Sequence, residues 1–229
     1  NDTRPIEQYM ALALQPMMVG AHKRADITRN LDHIAELAFA AKNVTEIELP
    51  VRLYAIPEGA LQGFTDEIFD WNHTDYVERM ALDIPGKETE YLGDLARGLE
   101  AFIIAQAKVK IPEIPERFFN CAFVIDQHGK VIHKHYKLQV FAREHSTVPH
   151  DVWDQWVDLF GDGLDAFYPV TDTEIGRLGC LICMEGSYPE TARGLAMNGA
   201  ELIYRPSYPE PYVGNGLWEV QNRARALDN

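Results

Sequence analysis

Three residues of this chain stand where side-chain chemistry could be done, each at the end of a segment that reads as a strand. Cys183 closes the apolar run Arg177-Leu178-Gly179-Cys180-Leu181-Ile182-Cys183, and a helix opening at Pro189 follows. A nucleophile on such a strand–turn–helix bend is exposed, and the next backbone N–H can face a developing oxyanion. Position alone favours the plainer alternative, a small buried hydrophobe. Glu58 follows Pro57 at a strand's C-terminal edge. A carboxylate there suits a general base, or is simply a solvated turn glutamate. Lys137 ends a strand amid His133, Lys134 and His135. By itself it reads as a solvated edge lysine.

Two further patterns invite chemistry and carry less. Cys180-x-x-Cys183 suggests redox or zinc use, but no second Cys pair exists to complete a four-thiolate site. Residues three apart in an extended strand point to opposite faces, so the two sulfurs should diverge. His128, His133, His135 and His145 suggest a metal. His133 and His135 fall on one face of an expected edge strand, however, with no acidic ligand at close spacing. No metal is expected.

The elements that must position these residues follow from periodicity. Residues 9–15 read as a buried strand. Ile27, Leu31, Ile34, Leu37 and Ala38 have helical spacing and predict a helix near 25–41. Ile47, Leu49, Val51, Leu53 and Ala55 alternate and predict a strand over 47–56. Residues 57–64 carry turn residues, and 65–87 read as irregular and aromatic, with Phe69, Trp71 and Tyr76. A helix is expected near 88–99 and a strand from Phe102. Asp126-Gln127-His128-Gly129 between two apolar runs is a hairpin signal. Residues 141–168, with Trp153, Trp156 and Phe160, form a long connection, either functional or carrying local helix. Pro189–Met197 reads as a helix ended by Asn198-Gly199, residues 200–204 as a strand, and Trp218–Leu227 as a last helix. Strand and helix alternate, with one hairpin, as in an α/β layered domain.

Composition narrows the function. The 229 residues carry 35 Asp+Glu against 21 Lys+Arg, a formal charge of −14. That argues against nucleic acid, whose phosphates need clustered Lys and Arg. No apolar stretch approaches the roughly 20 residues that span a bilayer, so no membrane role is expected. Three Cys are too few for a disulfide framework, and a cytoplasmic location is the default.

Taken together, the three positions resemble the nitrilase superfamily, the carbon–nitrogen hydrolases with a Glu-Lys-Cys triad. Ile56-Pro57-Glu58-Gly59-Ala60-Leu61-Gln62-Gly63-Phe64 is similar to the glutamate box of that family. Gly129-Lys130-Val131-Ile132-His133-Lys134-His135-Tyr136-Lys137-Leu138 is similar to the lysine box. Gly176 through Glu190, continuing to Arg193, Gly199–Ile203 and Pro206-Ser207, is similar to the cysteine box. The resemblance runs from residue 9 to the end. It implies a four-layer αββα sandwich in one carbon–nitrogen hydrolase domain over 1–229, lacking the C-terminal strands that normally complete the second sheet.

The same resemblance implies hydrolysis of a small aliphatic amide without metal or organic cofactor. Glu58 becomes the general base, Lys137 the oxyanion partner, Cys183 the nucleophile, and Glu144 a second positioning glutamate. The Met184 N–H is implied as oxyanion donor and Tyr208 as substrate contact. Tyr204, Tyr212, Trp153 and Trp156 are pocket, core or interface aromatics. Met184-Glu185 after the nucleophile is nitrilase-like, whereas Gly186-Ser187-Tyr188-Pro189-Glu190 looks like amidases and formamidases. A nitrilase, an N-carbamoyl amide hydrolase and a non-catalytic truncated subunit stay open as alternatives. A homodimer or higher homo-oligomer is implied, built through Pro189–Met197 and Trp218–Leu227.

Overall fold

The computed structural model describes residues 5–64, 71–208 and 213–229. It forms two β-sheets face to face, with helices on both outer sides. The first sheet has strands β1 (Met10–Ala13), β2 (Val51–Ala55), β3 (Phe102–Ile111), β4 (Ile114–Ile125) and β5 (Val131–Tyr136), paired in that order. The first three strands are parallel, and β3–β4–β5 are antiparallel. The second sheet has β6 (Val170–Thr173), β7 (Gly176–Cys180) and β8 (Leu202–Tyr204).

On the outer side of the first sheet lie α1 (Arg24–Thr45) and α3 (Lys87–Leu99). Ile27, Leu31, Ile34 and Ala38 recur every three or four residues, which puts them on one stripe of α1 and into the core. Leu92, Leu95, Ala96 and Leu99 do the same for α3, whose acidic first turn and basic last turn match its dipole. Strands β3 and β4 are apolar on both faces because both are covered. Between the sheets, Leu53, Phe102, Ile104, Ala122 and Val124 meet Ile175, Leu178, Cys180 and Ile182. Beyond the second sheet, α6 (Pro189–Met197) sets Ala192 and Leu195 on Leu181. The layers are therefore α, β, β, α.

The predicted hairpin joins β4 to β5. Asp126 Oδ1 accepts the N–H groups of His128 and Lys130, and Gly129 takes φ +81°. A side chain there would run into the Arg97 guanidinium.

Three expectations change, and one alternative is decided. The strand predicted over 47–56 starts only at Val51, since α1 runs on to Thr45 and Ile47 is exposed in the turn. Residues 65–87 are not irregular throughout. They hold α2 (His73–Arg79), capped by Asn72 accepting the Asp75 N–H, while Phe69 lies outside the described residues. The long connection carries helix, namely α4 (Trp153–Phe160) and α5 (Leu164–Phe167). Strand β5 is an edge strand, but the other sheet covers the face that carries its histidines, and both are buried. The last element is α7 (Leu217–Asp228), whose residues are all at least partly exposed. Among the described residues, no helix is long and apolar enough to cross a membrane.

His133 bridges the sheets, its Nδ1 2.9 Å from Thr171 Oγ1. Burial, with His135 alongside, pushes its pKa down to about 3, so the folded state holds it neutral. The unfolded chain takes up that proton below about pH 6.5. Stability contributed here is therefore lost as pH falls from about 6.5 toward 3, by up to ~1.4 kcal/mol per pH unit. Urea unfolding of wild type and His133→Asn at pH 6.5, 5.5 and 4.5 checks this. The wild-type advantage should shrink with each step, and a constant difference would reject it.

Candidate active site

Glu58, Lys137, Glu144 and Cys183 converge where the ends of β2, β5 and β7 meet. Glu58 lies three residues past β2, on a turn whose Gly59 N–H donates to Gln106 Oε1 at 2.8 Å. Lys137 follows β5, its backbone N–H donating to Asn120 O at 2.8 Å. Glu144 sits on the connection after it, held by its own N–H to Phe141 O. Cys183 opens a 3₁₀ turn, Cys183–Ser187, three residues after β7.

Glu58, Lys137 and Glu144 form a buried relay of alternating charge beside Cys183, extended by Lys108 of β3. Lys137 Nζ donates to Glu58 Oε1 at 3.1 Å and to Glu144 Oε2 at 2.6 Å. Lys108 Nζ donates to Glu144 Oε1 at 3.0 Å. Asn120 Nδ2 joins the two carboxylates, donating to Glu58 Oε1 at 3.0 Å and Glu144 Oε1 at 2.7 Å. Gln106 Nε2 fixes the Asn120 amide by donating to its Oδ1 at 2.6 Å, and the Ser146 hydroxyl donates to Glu144 at 2.5 Å. Glu58 is 1% exposed, Lys108 1% and Lys137 2%. Charges this deep persist because each is paired and hydrogen-bonded.

The electrostatics follow. Burial alone would lower the Lys137 pKa, but the Glu58 and Glu144 carboxylates outweigh it and hold the ammonium well above its usual range. Burial works against ionised Glu144 as well, yet Lys108 and Lys137 keep it far below the ordinary carboxylate range. Burial first, and Glu58 second, push the Cys183 thiol up to about 12 against the opposing Lys137 cation. The resting group is therefore a thiol, with Glu58 and Ser207 among the groups that act on it.

The backbone under Cys183 is built for exposure of the side chain. Its φ is +50°, the left-handed region that a β-carbon disfavours. Three contacts hold it there. The Cys183 N–H donates to Pro206 O at 2.8 Å. Arg205 donates through Nε at 3.1 Å and Nη2 at 2.9 Å to Cys183 O. Its guanidinium lies so close over Gly186 that any side chain there would collide with it. Arg205 also covers the Trp218 ring of α7, 4.1 Å from the centroid.

Glu185 completes the support. Its buried carboxylate accepts the Ile182 N–H at 2.5 Å and the Leu138 N–H at 2.8 Å, and lies 2.9 Å from His135 Nε2. One side chain thus joins the residue before Cys183 to the residue after Lys137. The Met184 N–H lies between two paired ones, Cys183 to Pro206 O and Glu185 to Ile182 O, and has no partner among the described residues.

Of the other expected contacts, Tyr208 reaches the site through its backbone, donating to Glu58 Oε2 at 3.1 Å. Its half-exposed ring lies 4.4 Å from that of Phe64. Tyr204 is core, and its hydroxyl donates to Ile56 O just before Glu58. Trp156 is core too, packed with Phe119, Tyr136 and Phe160, and Trp153 stacks on Phe167. Tyr212 lies outside the described residues. Cys180 is buried between the sheets, apart from the turn that carries Cys183. Among the described residues, no cluster of His, Cys, Asp and Glu is placed to hold a metal ion. Lys108, Asn120, Gln106, Ser146, Arg205 and the bridging role of Glu185 are additions that the sequence reading missed. The available signal was a Gln, a Lys and an Asn inside otherwise apolar central strands.

Known proteins are similar to this chain in sequence and fold. A formamidase of Bacillus cereus (strain Q1) is 27% identical over 228 residues, covering 99% of this chain and 61% of the relative. The omega-amidase NIT2-B of Xenopus laevis is 32% identical over 157 residues, 68% of this chain and 54% of the relative. The chain thus spans about six tenths of the length of these curated relatives, or less. Among solved structures, Saccharomyces cerevisiae Nit3, a member of branch 10 of the nitrilase superfamily, superposes with a TM-score of 0.69. It is 20% identical, and the match covers 94% of this chain and 71% of that one. An amidase from Nesterenkonia sp. superposes at 0.62 and 22% identity, over 91% and 69% of the two chains. These two likenesses show the fold. The carbon–nitrogen hydrolase family model matches residues 11–229, so the chain belongs to that family, within the nitrilase superfamily, and is similar to its amidase and formamidase members.

Proposed function

We propose that this protein hydrolyses a small aliphatic amide to a carboxylate and ammonia through a Cys183 thioester. The observation that carries the reading is the Lys137 ammonium held 3.1 Å from Glu58, with the Cys183 thiol within the electrostatic reach of both.

Glu58 takes the thiol proton as the sulfur attacks the amide carbon, since the thiolate is the nucleophilic form. The carbonyl π pair moves to oxygen, and Lys137 Nζ and the Met184 N–H hold the oxyanion. Each such donor is worth about 3–4 kcal/mol in comparable sites. When the oxyanion collapses, the C–N bond breaks and Glu58 returns its proton to the leaving nitrogen, releasing ammonia. Glu58 next takes a proton from water as its oxygen attacks the thioester. The C–S bond breaks, Glu58 returns its proton to the departing sulfur, and the acid leaves as carboxylate with its own proton passing to solvent or ammonia. Glu144 holds Lys137 in place throughout, and the backbone of Tyr208 orients Glu58. The thiol's high pKa supports a base that acts during attack over a preformed thiolate.

The test is ammonia release from short aliphatic amides, formamide included, beside the matching nitriles and N-carbamoyl compounds. Release from the amides alone is expected. Turnover of nitriles or N-carbamoyl compounds instead replaces the amide reading with that class. No release from any of them removes the hydrolytic proposal for this chain.

A further inference from the structure

Lys108 is the group that the amide mechanism leaves without a task. It lies in the middle of β3, opposite Asn120 of β4, with its backbone held by Gln62, whose Oε1 accepts the Lys108 N–H at 2.7 Å. Its ammonium, as buried as Glu58 itself, donates to Glu144 at 3.0 Å and approaches Ser146 Oγ at 3.4 Å. A buried lysine is costly, and an apolar side chain in its place would suit the strand better. Without it, the relay would hold two carboxylates, Glu58 and Glu144, against one cation, Lys137. A third negative charge would then have to form on Cys183 beside a cluster already negative.

We propose that Lys108 is a positioning residue that balances Glu144, so that the charge of Lys137 stays directed at Glu58 and at the thiolate forming on Cys183. The inference rests on the amide mechanism for its meaning, but its test does not need turnover. The groups that bear on Cys183 are Glu58 from the turn after β2, Lys137 after β5, Ser207 after β8, and Glu144 with Lys108 behind Lys137. Removing one cation from that set makes the thiolate harder to form. Removing Glu144 makes it easier, and removing both restores the balance.

The experiment is the pH dependence of Cys183 alkylation by iodoacetamide, followed by intact mass, with Cys183→Ala as the labelling control. Cys121 and Cys180 are fully buried and should stay unlabelled. In Lys108→Met the profile should move up by about one pH unit, a roughly tenfold slower reaction at a fixed pH well below both midpoints. Lys108→Arg keeps the charge and should keep the profile. Glu144→Gln should move it down, and Lys108→Met/Glu144→Gln should bring it back to wild type. Lys108→Gln carries the same expectation as Lys108→Met if the latter does not fold. If neither folds, the separation between Glu144→Gln and the double variant measures the same charge.

A Lys108→Met or Lys108→Gln profile that overlays wild type overturns the proposal. So does a Lys108→Arg profile displaced like that of Lys108→Met, or a double variant that overlays Glu144→Gln. A wild type that labels at Cys183 yet releases no ammonia from any amide removes the hydrolysis reading and leaves the Lys108 result standing.

Discussion

Cys183→Ala should reduce ammonia release from amides to the level of buffer, a loss of at least about 10⁴-fold in kcat. The size of the effect comes from the chemistry. Glu58 and Lys137 keep their 3.1 Å contact in the variant, but no atom is left to form the acyl bond. Water attacking directly would have to enter a site shaped around a sulfur. The fold should survive, because Cys183 is only partly buried and its backbone contacts to Pro206 and Arg205 do not involve the thiol. A second readout separates a missing nucleophile from a distorted site. Wild type quenched during turnover of a slow amide should carry the mass of one acyl group on Cys183, and Cys183→Ala none. Residual turnover above about one hundredth of wild type, with circular dichroism unchanged, would contradict the nucleophile assignment.

Lys137→Met should have the second largest effect, and it should appear in two measurements at once. Turnover should fall by roughly 10²–10³-fold, the scale of losing one oxyanion donor. Stability should fall as well, by about 3–5 kcal/mol, because the variant leaves two buried carboxylates facing each other through Asn120 with one of their cations gone. The loss of stability has a pH signature. Glu144 is held far below its ordinary range, so its contribution is present above the unfolded pKa near 4.5 and lost as pH falls through the folded value. In Lys137→Met one of the cations that sets that value is absent. The gap between wild type and variant in urea unfolding should therefore be wide near pH 7 and narrow below pH 4. A variant as stable as wild type at pH 7 would mean that the relay is not as dry as its burial indicates.

The sequence exposed some of this plainly and hid the rest for identifiable reasons. Helices α1 and α3 announce themselves by apolar spacing, and the hairpin by Asp126 and Gly129, because local chemistry decides those elements. The false start of β2 at Ile47 arose because Ile47 and Leu49 alternate with Glu46 and Glu48 in a turn that satisfies no ladder. Helix α2 is seven residues whose packing against β4, not any periodicity of its own, sustains it. At the site, Glu58, Lys137 and Cys183 each had a plain alternative, and only their joint occurrence in three boxes outweighed it. Lys137 in particular looks like a solvated edge lysine until β5 is seen to end beneath the second sheet. Lys108 and Asn120 face each other across β3 and β4. That meeting depends on strand register, which neither segment declares alone.

The Glu185 carboxylate acts as a ruler. Because it grips Ile182 on one side and Leu138 on the other, the span from the nucleophile to the lysine is set by the length of one side chain. The apolar layer between the sheets sets their spacing without any directional bond to either residue. Methyl-sized changes among Leu53, Ile104, Val124 and Leu178 should cost stability while leaving both grips of the Glu185 carboxylate in place. A single methylene removed at position 185 cannot leave both in place, since the carboxylate then lets go of one end. Tolerance to sequence drift should thus be uneven across this interior, broad in the layer that supplies most of the burial and narrow at one residue that supplies little of it.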